Sequence, residues 1–283
     1  SSILDSFTLD ERKELARRAF QHIALYDTAI SQYLGDGYSF DRKEVTFGYS
    51  TLYNLRYGEN PHQKASLTTD PLSAGGIARA KQHHGRELSF NNILDGDSAF
   101  RIVSDYTEPA ATIVKHTNPC GLAIHENQST AYQKAFEGDP TSAYGGIVGF
   151  NRTVTEATAK AMKGVFYEII IAPSYESNAL AILKRRRNLR ILEVLPSKGF
   201  YENLEVRKIT GGALIQTADL GEEDSSQWRN VTNRAPTHQE MLDLSFTWKA
   251  VKHVKSNGIV IGKDSTLMGI GVGQPNRVTS VHL

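Results

Sequence analysis

The sequence predicts an α/β fold, with helices layered on a sheet. Three observations carry this. Short β-branched or apolar runs recur at Ala110–Val114, Ile147–Phe150 and Glu168–Pro173, each suited to a buried strand. Helix-period stretches fall between them, near Asp95–Tyr106, Ser129–Glu137 and Thr155–Lys163. Strands and helices alternate at short spacing, the pattern of helices packed on the faces of a sheet. With 283 residues, the chain has the length of two domains or of one large α/β unit, and either buries a substantial core.

Taken in order, the first element is a helix. Thr8 and Glu11 have capping-box spacing, and Leu15, Ala19, Ile23, Tyr26, Ile30 and Tyr33 form one apolar stripe before Gly35-Asp36-Gly37 stops it. Such a helix needs a surface to cover. Residues 38–65 read as extended and turn-rich, with a strand expected at Val45–Tyr49 and a turn at Gly58-Glu59-Asn60-Pro61. Leu88–Asn92 reads as a loop before the helix near Asp95–Tyr106. The strand Ala110–Val114 runs into Lys115-His116-Thr117-Asn118-Pro119-Cys120-Gly121, and a second apolar run follows at Leu122–Ile124. After the alternating elements come a helix at Ser177–Lys184, a strand at Arg190–Val194, and a polar stretch near Leu220–Trp228 that reads as a loop or linker. A helix from Thr237 to about Lys252 precedes Ile259–Ile261, a turn at Lys263-Asp264-Ser265, and Met268–Gly273. Asp95–Ile124 and Leu242–Val272 echo one another as helix, strand, break, strand, either by chance or as two related halves with a site between them.

Composition narrows the function. There are 32 Lys+Arg against 31 Asp+Glu, a formal net charge of +1, so no whole-molecule field draws the chain to nucleic acid or to an anionic membrane. One cysteine, Cys120, excludes an intrachain disulfide framework and any zinc site needing two thiolates. No apolar run approaches the roughly 20 residues of a membrane span, and the first residues do not read as a signal peptide. A cytoplasmic, reducing-compartment enzyme acting on small molecules is the expectation. The nine histidines include no H-x-x-x-H or H-E-x-x-H spacing, so no metal site is expected.

Two clusters carry candidate chemistry. Lys115 and His116 leave a strand end and enter an Asn-Pro turn. There His116 suits a general base, and the neighbouring ammonium favours its neutral form. The alternative is a surface lysine beside a histidine that caps a turn. In Arg56-Tyr57-Gly58-Glu59-Asn60-Pro61-His62-Gln63, Arg56 suits phosphate or carboxylate and Tyr57 suits a heterocycle; the alternative is a structural turn with an exposed Arg. The glycines of Gly269–Gly273 match neither G-x-G-x-x-G nor a P-loop and read better as a close-packed strand or turn.

Five motifs in order then identify a resemblance: Leu55–Gln63, Leu88–Asn92, Val114–Gly121, Asp139–Gly146, and Val254–Asn257 together with Gly271-x-Gly-Gln274-x-x-Arg277. In this order they resemble AICAR transformylase, the formyltransferase half of the bifunctional purine-biosynthesis proteins that also carry IMP cyclohydrolase. The resemblance implies a cytidine-deaminase-like α/β/α layered fold, duplicated, with the second repeat incomplete. It implies a linker region with the end of a cyclohydrolase domain over residues 1–48, a first transformylase subdomain over 49–235 and the start of a second over 236–283. The implied reaction moves a formyl group from 10-formyltetrahydrofolate, the co-substrate, to the 5-amino group of AICAR. The implied catalytic residues are His116 as base, Lys115 and Asn257. Arg56, Tyr57, Gly145 and Glu168 fall at AICAR-contacting positions and Arg277 at a folate-side arginine. No metal is implied, and a homodimer with its site at the subunit interface is. Family members continue beyond the position of Leu283 into S-D-A-F-F-P-F-R-D, so the resemblance also implies part of a longer enzyme. The other expectation is a non-catalytic fragment that binds AICAR or folate.

Overall fold

The computed structural model describes residues 7–35, 40–41, 43–197, 204–221 and 224–283. Contacts divide the chain into two units. One comprises Ser1–Asn54, Ser66–Ala74 and Ser197–Leu220; the other comprises Leu55–Ala65, Gly75–Pro196 and Gly221–Leu283.

The first unit holds the N-terminal helix α1 (Leu9–Leu34), which starts as the capping box requires. Thr8 Oγ1 accepts the Glu11 N–H at 3.3 Å, and the Glu11 carboxylate accepts the Thr8 N–H at 2.7 Å. Its apolar stripe is left open to solvent, with Ile23, Tyr26 and Tyr33 at 50%, 60% and 82% exposure. Of the predicted stop, Gly35 caps the helix; Asp36 and Gly37 lie outside the described residues. The strand expected at Val45–Tyr49 runs instead over Ser50–Leu55 (β1), which pairs with β2 (Ala65–Thr69). Cross-strand pairing, more than residue preference, sets where a strand runs. A hairpin that sequence reading did not separate, β9 (Leu204–Ile209) and β10 (Gly212–Thr217), also lies in this unit.

The second unit is built on an eight-stranded mixed sheet. Its strands are β3 (Lys81–His84), β4 (Ala110–Lys115), β5 (Asn118–Ile124), β6 (Ile147–Phe150), β7 (Ile169–Ala172), β8 (Arg190–Glu193), β11 (Ile259–Lys263) and β12 (Thr266–Gly271). Their order is β11-β12-β5-β4-β6-β7-β8-β3. β6, β7 and β8 run parallel; the other pairings are antiparallel. Alternation along β7 shows the layers. Ile170 packs with α3 (Gln128–Gly138), α5 (Glu156–Ala161) and α6 (Ser177–Leu183) through Tyr132, Ala159 and Leu183. Ile169 and Ile171 face the opposite cluster, with Ala99, Ile102, Phe246 and Ala250 of α2 (Phe90–Ser104) and α7 (His238–Val251). The layered α/β fold read from the sequence is therefore present.

α2 begins earlier than the sequence reading placed it. Ser89 caps it, accepting the Asn92 N–H at 3.2 Å, so most of the predicted loop Leu88–Asn92 is the cap and first turn of the helix. The break after β4 is also shorter than expected. β5 starts at Asn118, and Pro119 fits inside it because the pairing shifts register between Ile113 and Val114.

The internal echo is real in three dimensions. α2–β4–β5 and α7–β11–β12 are each a helix followed by a hairpin, and β11-β12-β5-β4 is symmetric about the β12/β5 pair. α2 and α7 are tied directly: the Asp105 carboxylate meets His253 Nε2 at 2.6 Å and Lys252 Nζ at 2.7 Å.

Candidate functional site

β4 and β5 are joined by the two residues His116 and Thr117, at φ of 52° and 63°, between the paired Lys115 and Asn118. A two-residue hairpin turn favours left-handed backbone because its twist matches that of the strands. Asn and Gly usually supply it; here neither residue does, and left-handed backbone costs about 1–2 kcal/mol per non-glycine residue. Side chains hold the turn. The Asp95 carboxylate of α2 accepts the Thr117 N–H at 2.7 Å. The His116 carbonyl accepts Thr117 Oγ1 at 2.7 Å and Asn118 Nδ2 at 2.8 Å. Burial pushes the Asp95 carboxyl above its ordinary range, opposed by the backbone N–H of Thr117 and the charge and N–H of His116. Asn118 Oδ1 is buried without a partner among the described residues.

The strand registers place this turn at one end of the sheet, at the carboxyl end of β4 and the amino ends of β6, β7 and β8. Lys115 Nζ donates to the Tyr144 carbonyl at 3.0 Å. The next residue, Gly145, has φ of 76° and donates its N–H to the Phe166 carbonyl at 2.8 Å. A left-handed glycine there turns the chain from α4 (Pro140–Ala143) into β6 and leaves its backbone open beside Phe166. Glu168 follows on the same rim: its N–H donates to the Gly146 carbonyl, and its carboxylate accepts Arg190 Nη1 at 2.6 Å. Arg190 also donates Nε to the Glu87 carbonyl, so the segment that leads into α2 closes the rim.

Lys115, His116, Gly145 and Glu168 are thus brought to one rim. Asn257 precedes β11, whose first residue pairs with Gly271 at the end of β12 that runs antiparallel to β5 toward the same end of the sheet as the turn. Its Nδ2 donates to the Gln274 carbonyl at 2.9 Å and its carbonyl accepts Ser280 Oγ at 2.7 Å. Arg277 begins α8 (Arg277–His282) and is exposed. β12 meets β5 only at Thr266↔Ala123, and no described contact joins Asn257 or Arg277 to His116. Arg56 and Tyr57 contact one another, with Arg56 Nη2 donating to Tyr57 Oη at 3.1 Å and its guanidinium 4.8 Å from the ring centre. No described contact brings them to the rim.

These arrangements sit in a chain that a family model, the AICARFT/IMPCHase bienzyme, matches over residues 2–283. The chain belongs to this family. Among curated relatives, the bifunctional purine biosynthesis protein purH of Dictyostelium discoideum is 47% identical over 100% of this chain and 57% of its own length. The PurH proteins of Thermoanaerobacter sp. (strain X514) and of Listeria monocytogenes serovar 1/2a are 49% and 48% identical, over 95% and 96% of this chain and 53% and 54% of theirs. The chain spans about half the length of the curated relatives it matches. Within this AICARFT/IMPCHase chain, Asp95, Asn118 and Arg190 are the residues sequence reading did not single out. The Ser89–Asn92 cap, which fixes where α2 starts, was the one local signal for Asp95. Among the described residues no helix is long and apolar enough to cross a membrane, and no group of three His, Cys, Asp or Glu is placed to hold a metal ion.

Proposed function

We propose that this chain supplies the formyl-transfer machinery of a purine-biosynthesis enzyme. In it, the formyl group of 10-formyltetrahydrofolate passes to the 5-amino group of AICAR, giving FAICAR. The observation that carries the reading is the Lys115–His116 turn, held on a rim with Gly145 and Glu168, in a chain of the AICARFT/IMPCHase family.

The AICAR amine is a weak nucleophile, because its lone pair is delocalised into the imidazole and carboxamide. It attacks the formyl carbon while losing a proton, and His116 accepts that proton. Lys115 stabilises the oxyanion that develops on the formyl oxygen. The bond from the formyl carbon to the folate nitrogen then breaks, and the nitrogen takes up a proton. Asn257 hydrogen-bonds the amine or carboxamide region, Arg56 takes the phosphate, Tyr57 meets the ring, and Glu168 and the Gly145 backbone contact AICAR. Arg277 meets the folate. The site is completed between two copies of the protein, in the cytoplasm.

The test is FAICAR formation by the full-length protein and its His116→Ala variant. Loss of turnover with AICAR binding retained is expected. Near-normal turnover in the variant removes His116 as the base, and AICAR binding without turnover by the unaltered protein favours a binding role.

A further inference from the structure

We propose that Asp95 is a positioning residue for this reaction: its carboxylate holds the His116–Thr117 turn in the left-handed backbone that presents the His116 side chain. The inference rests on the reading of His116 as the base and adds a residue to it.

Four observations lead there. Thr117 is β-branched and does not adopt φ of 63° by preference, so its conformation is imposed from outside the residue. The hydrogen bond from the Thr117 N–H to Asp95, at 2.7 Å, is the described contact that ties the tip to α2. The reach is set by packing. Gly96 lets α2 come so close to β7 that an added Cβ would stand 3.0 Å from the Ile171 side chain, and a short carboxylate at the preceding position then meets the turn. Finally, the device occurs twice. In the second hairpin Asp264 and Ser265 take φ of 50° and 54°, and the Ser265 N–H donates to the carboxylate of Asp243 on α7 at 2.8 Å. Each aspartate stands 22 residues before the residue it holds. The carbonyl of the first turn residue accepts a side-chain donor two residues on in both hairpins, Asn118 Nδ2 and Thr266 Oγ1. These two hydrogen bonds, kept while His116 is exchanged for Asp264, belong to the turn's backbone. In the first hairpin that backbone carries the proposed base.

The duplication supplies the control. In the full-length protein, Asp95→Ala is expected to lower kcat by about 10²-fold, the scale of a small misplacement of a reacting group, with the KM for AICAR changed by less than about threefold. Asp243→Ala removes the equivalent bond and is expected to keep kcat within about threefold while lowering the melting temperature. Thr117→Gly in the Asp95→Ala background is expected to recover about tenfold of the lost kcat, because glycine adopts the left-handed region without help. Faster hydrogen exchange at the Thr117 amide in Asp95→Ala, read without any turnover, is the matching structural result. If Asp95→Ala does not fold, Asp95→Asn, which retains one oxygen acceptor, is measured in its place and is expected to lose kcat less severely. A folded Asp95→Ala or Asp95→Asn with unchanged kcat overturns the proposal, as does the absence of rescue by Thr117→Gly. His116→Ala assayed alongside separates the two ideas. If it keeps turnover, the base and its positioning fall together; if it is inactive while Asp95→Ala is active, only the positioning role falls.

Discussion

The two hairpins of the second unit share a plan and differ in what the plan carries. β4–β5 turns through His116-Thr117 and β11–β12 through Asp264-Ser265, each held by an aspartate from the preceding helix. Around the first tip the rim contributes further groups: Lys115 reaches the Tyr144 carbonyl, and Gly145 and Glu168 lie close by. Around the second, Lys134 donates to the Asp264 carbonyl and the Ile124 N–H to the Ser265 carbonyl, so the tip is packed against the inner sheet. The difference teaches that the turn is a structural device, and that chemistry enters through the side chain it presents and the neighbours it meets.

Exchanging the tips gives the largest expected effect. His116→Asp installs the residue the second hairpin uses at the equivalent place, and Asp tolerates left-handed backbone better than most residues. The fold is expected to stay intact by circular dichroism while kcat falls by roughly 10²–10⁴-fold, the span of a lost general base. Retained turnover would erase the functional contrast between the two turns. Next come the paired lysines. Lys115→Met should cost about 10–10²-fold in kcat if the ammonium stabilises an oxyanion, whereas Lys263→Met should leave kcat where it was; equal losses would show that both act through the hairpins.

Asp105, which ties α2 to α7, tests whether the two halves are stabilised jointly. Burial alone would raise its carboxyl, but the hydrogen bonds and charges of His253 and Lys252 prevail and hold it below the ordinary carboxylate range. A depressed folded value means stability that is present above the unfolded pKa and lost as pH falls through the folded one. Asp105→Asn is therefore expected to cost about 2 kcal/mol at neutral pH. The gap from the unaltered protein should close below about pH 4, where unfolded aspartate titrates. A gap independent of pH in thermal unfolding would contradict the charge argument. Gly145→Ala should cost about 1–2 kcal/mol, because the added Cβ has room beside Phe166 and only the backbone conformation is penalised; chemical denaturation reads it. The smallest effect concerns Cys120, in the bulged stretch of β5. Burial, then the charge of Asp139, push its thiol up to about 11. Alkylation of the native protein at pH 8 should be far slower than that of the unfolded chain; equal rates would mean that this strand opens readily.

The strands of the second unit were legible because burial on both faces leaves continuous apolar runs: Ile147–Phe150 matches β6 at both ends and Ile169–Ala172 lies inside the predicted run. The β9–β10 hairpin was not, since its residues are mostly exposed and show no buried face to generate a pattern. In the site, Lys115 and His116 could be picked out because they end an apolar strand. Asp95 and Arg190 could not: one acts across a helix–sheet packing distance and the other across a rim formed by separate strands. Such proximities follow from register and helix placement, which local residue preferences do not encode. The Asn257 position shows the converse, a motif residue whose described partners are its own neighbours in the hairpin region.

The seam between the two hairpins has a consequence of its own. β12 is bridged to β5 by one residue pair, whereas β4 and β5 pair along their whole length. Cooperative opening follows the density of such links. The outer hairpin is therefore expected to open more readily than the inner strands, with amide protons of β11 exchanging faster than those of β4–β8 in native-state hydrogen exchange. The sheet is continuous in its order of strands, and its most thinly paired seam lies between its two related hairpins.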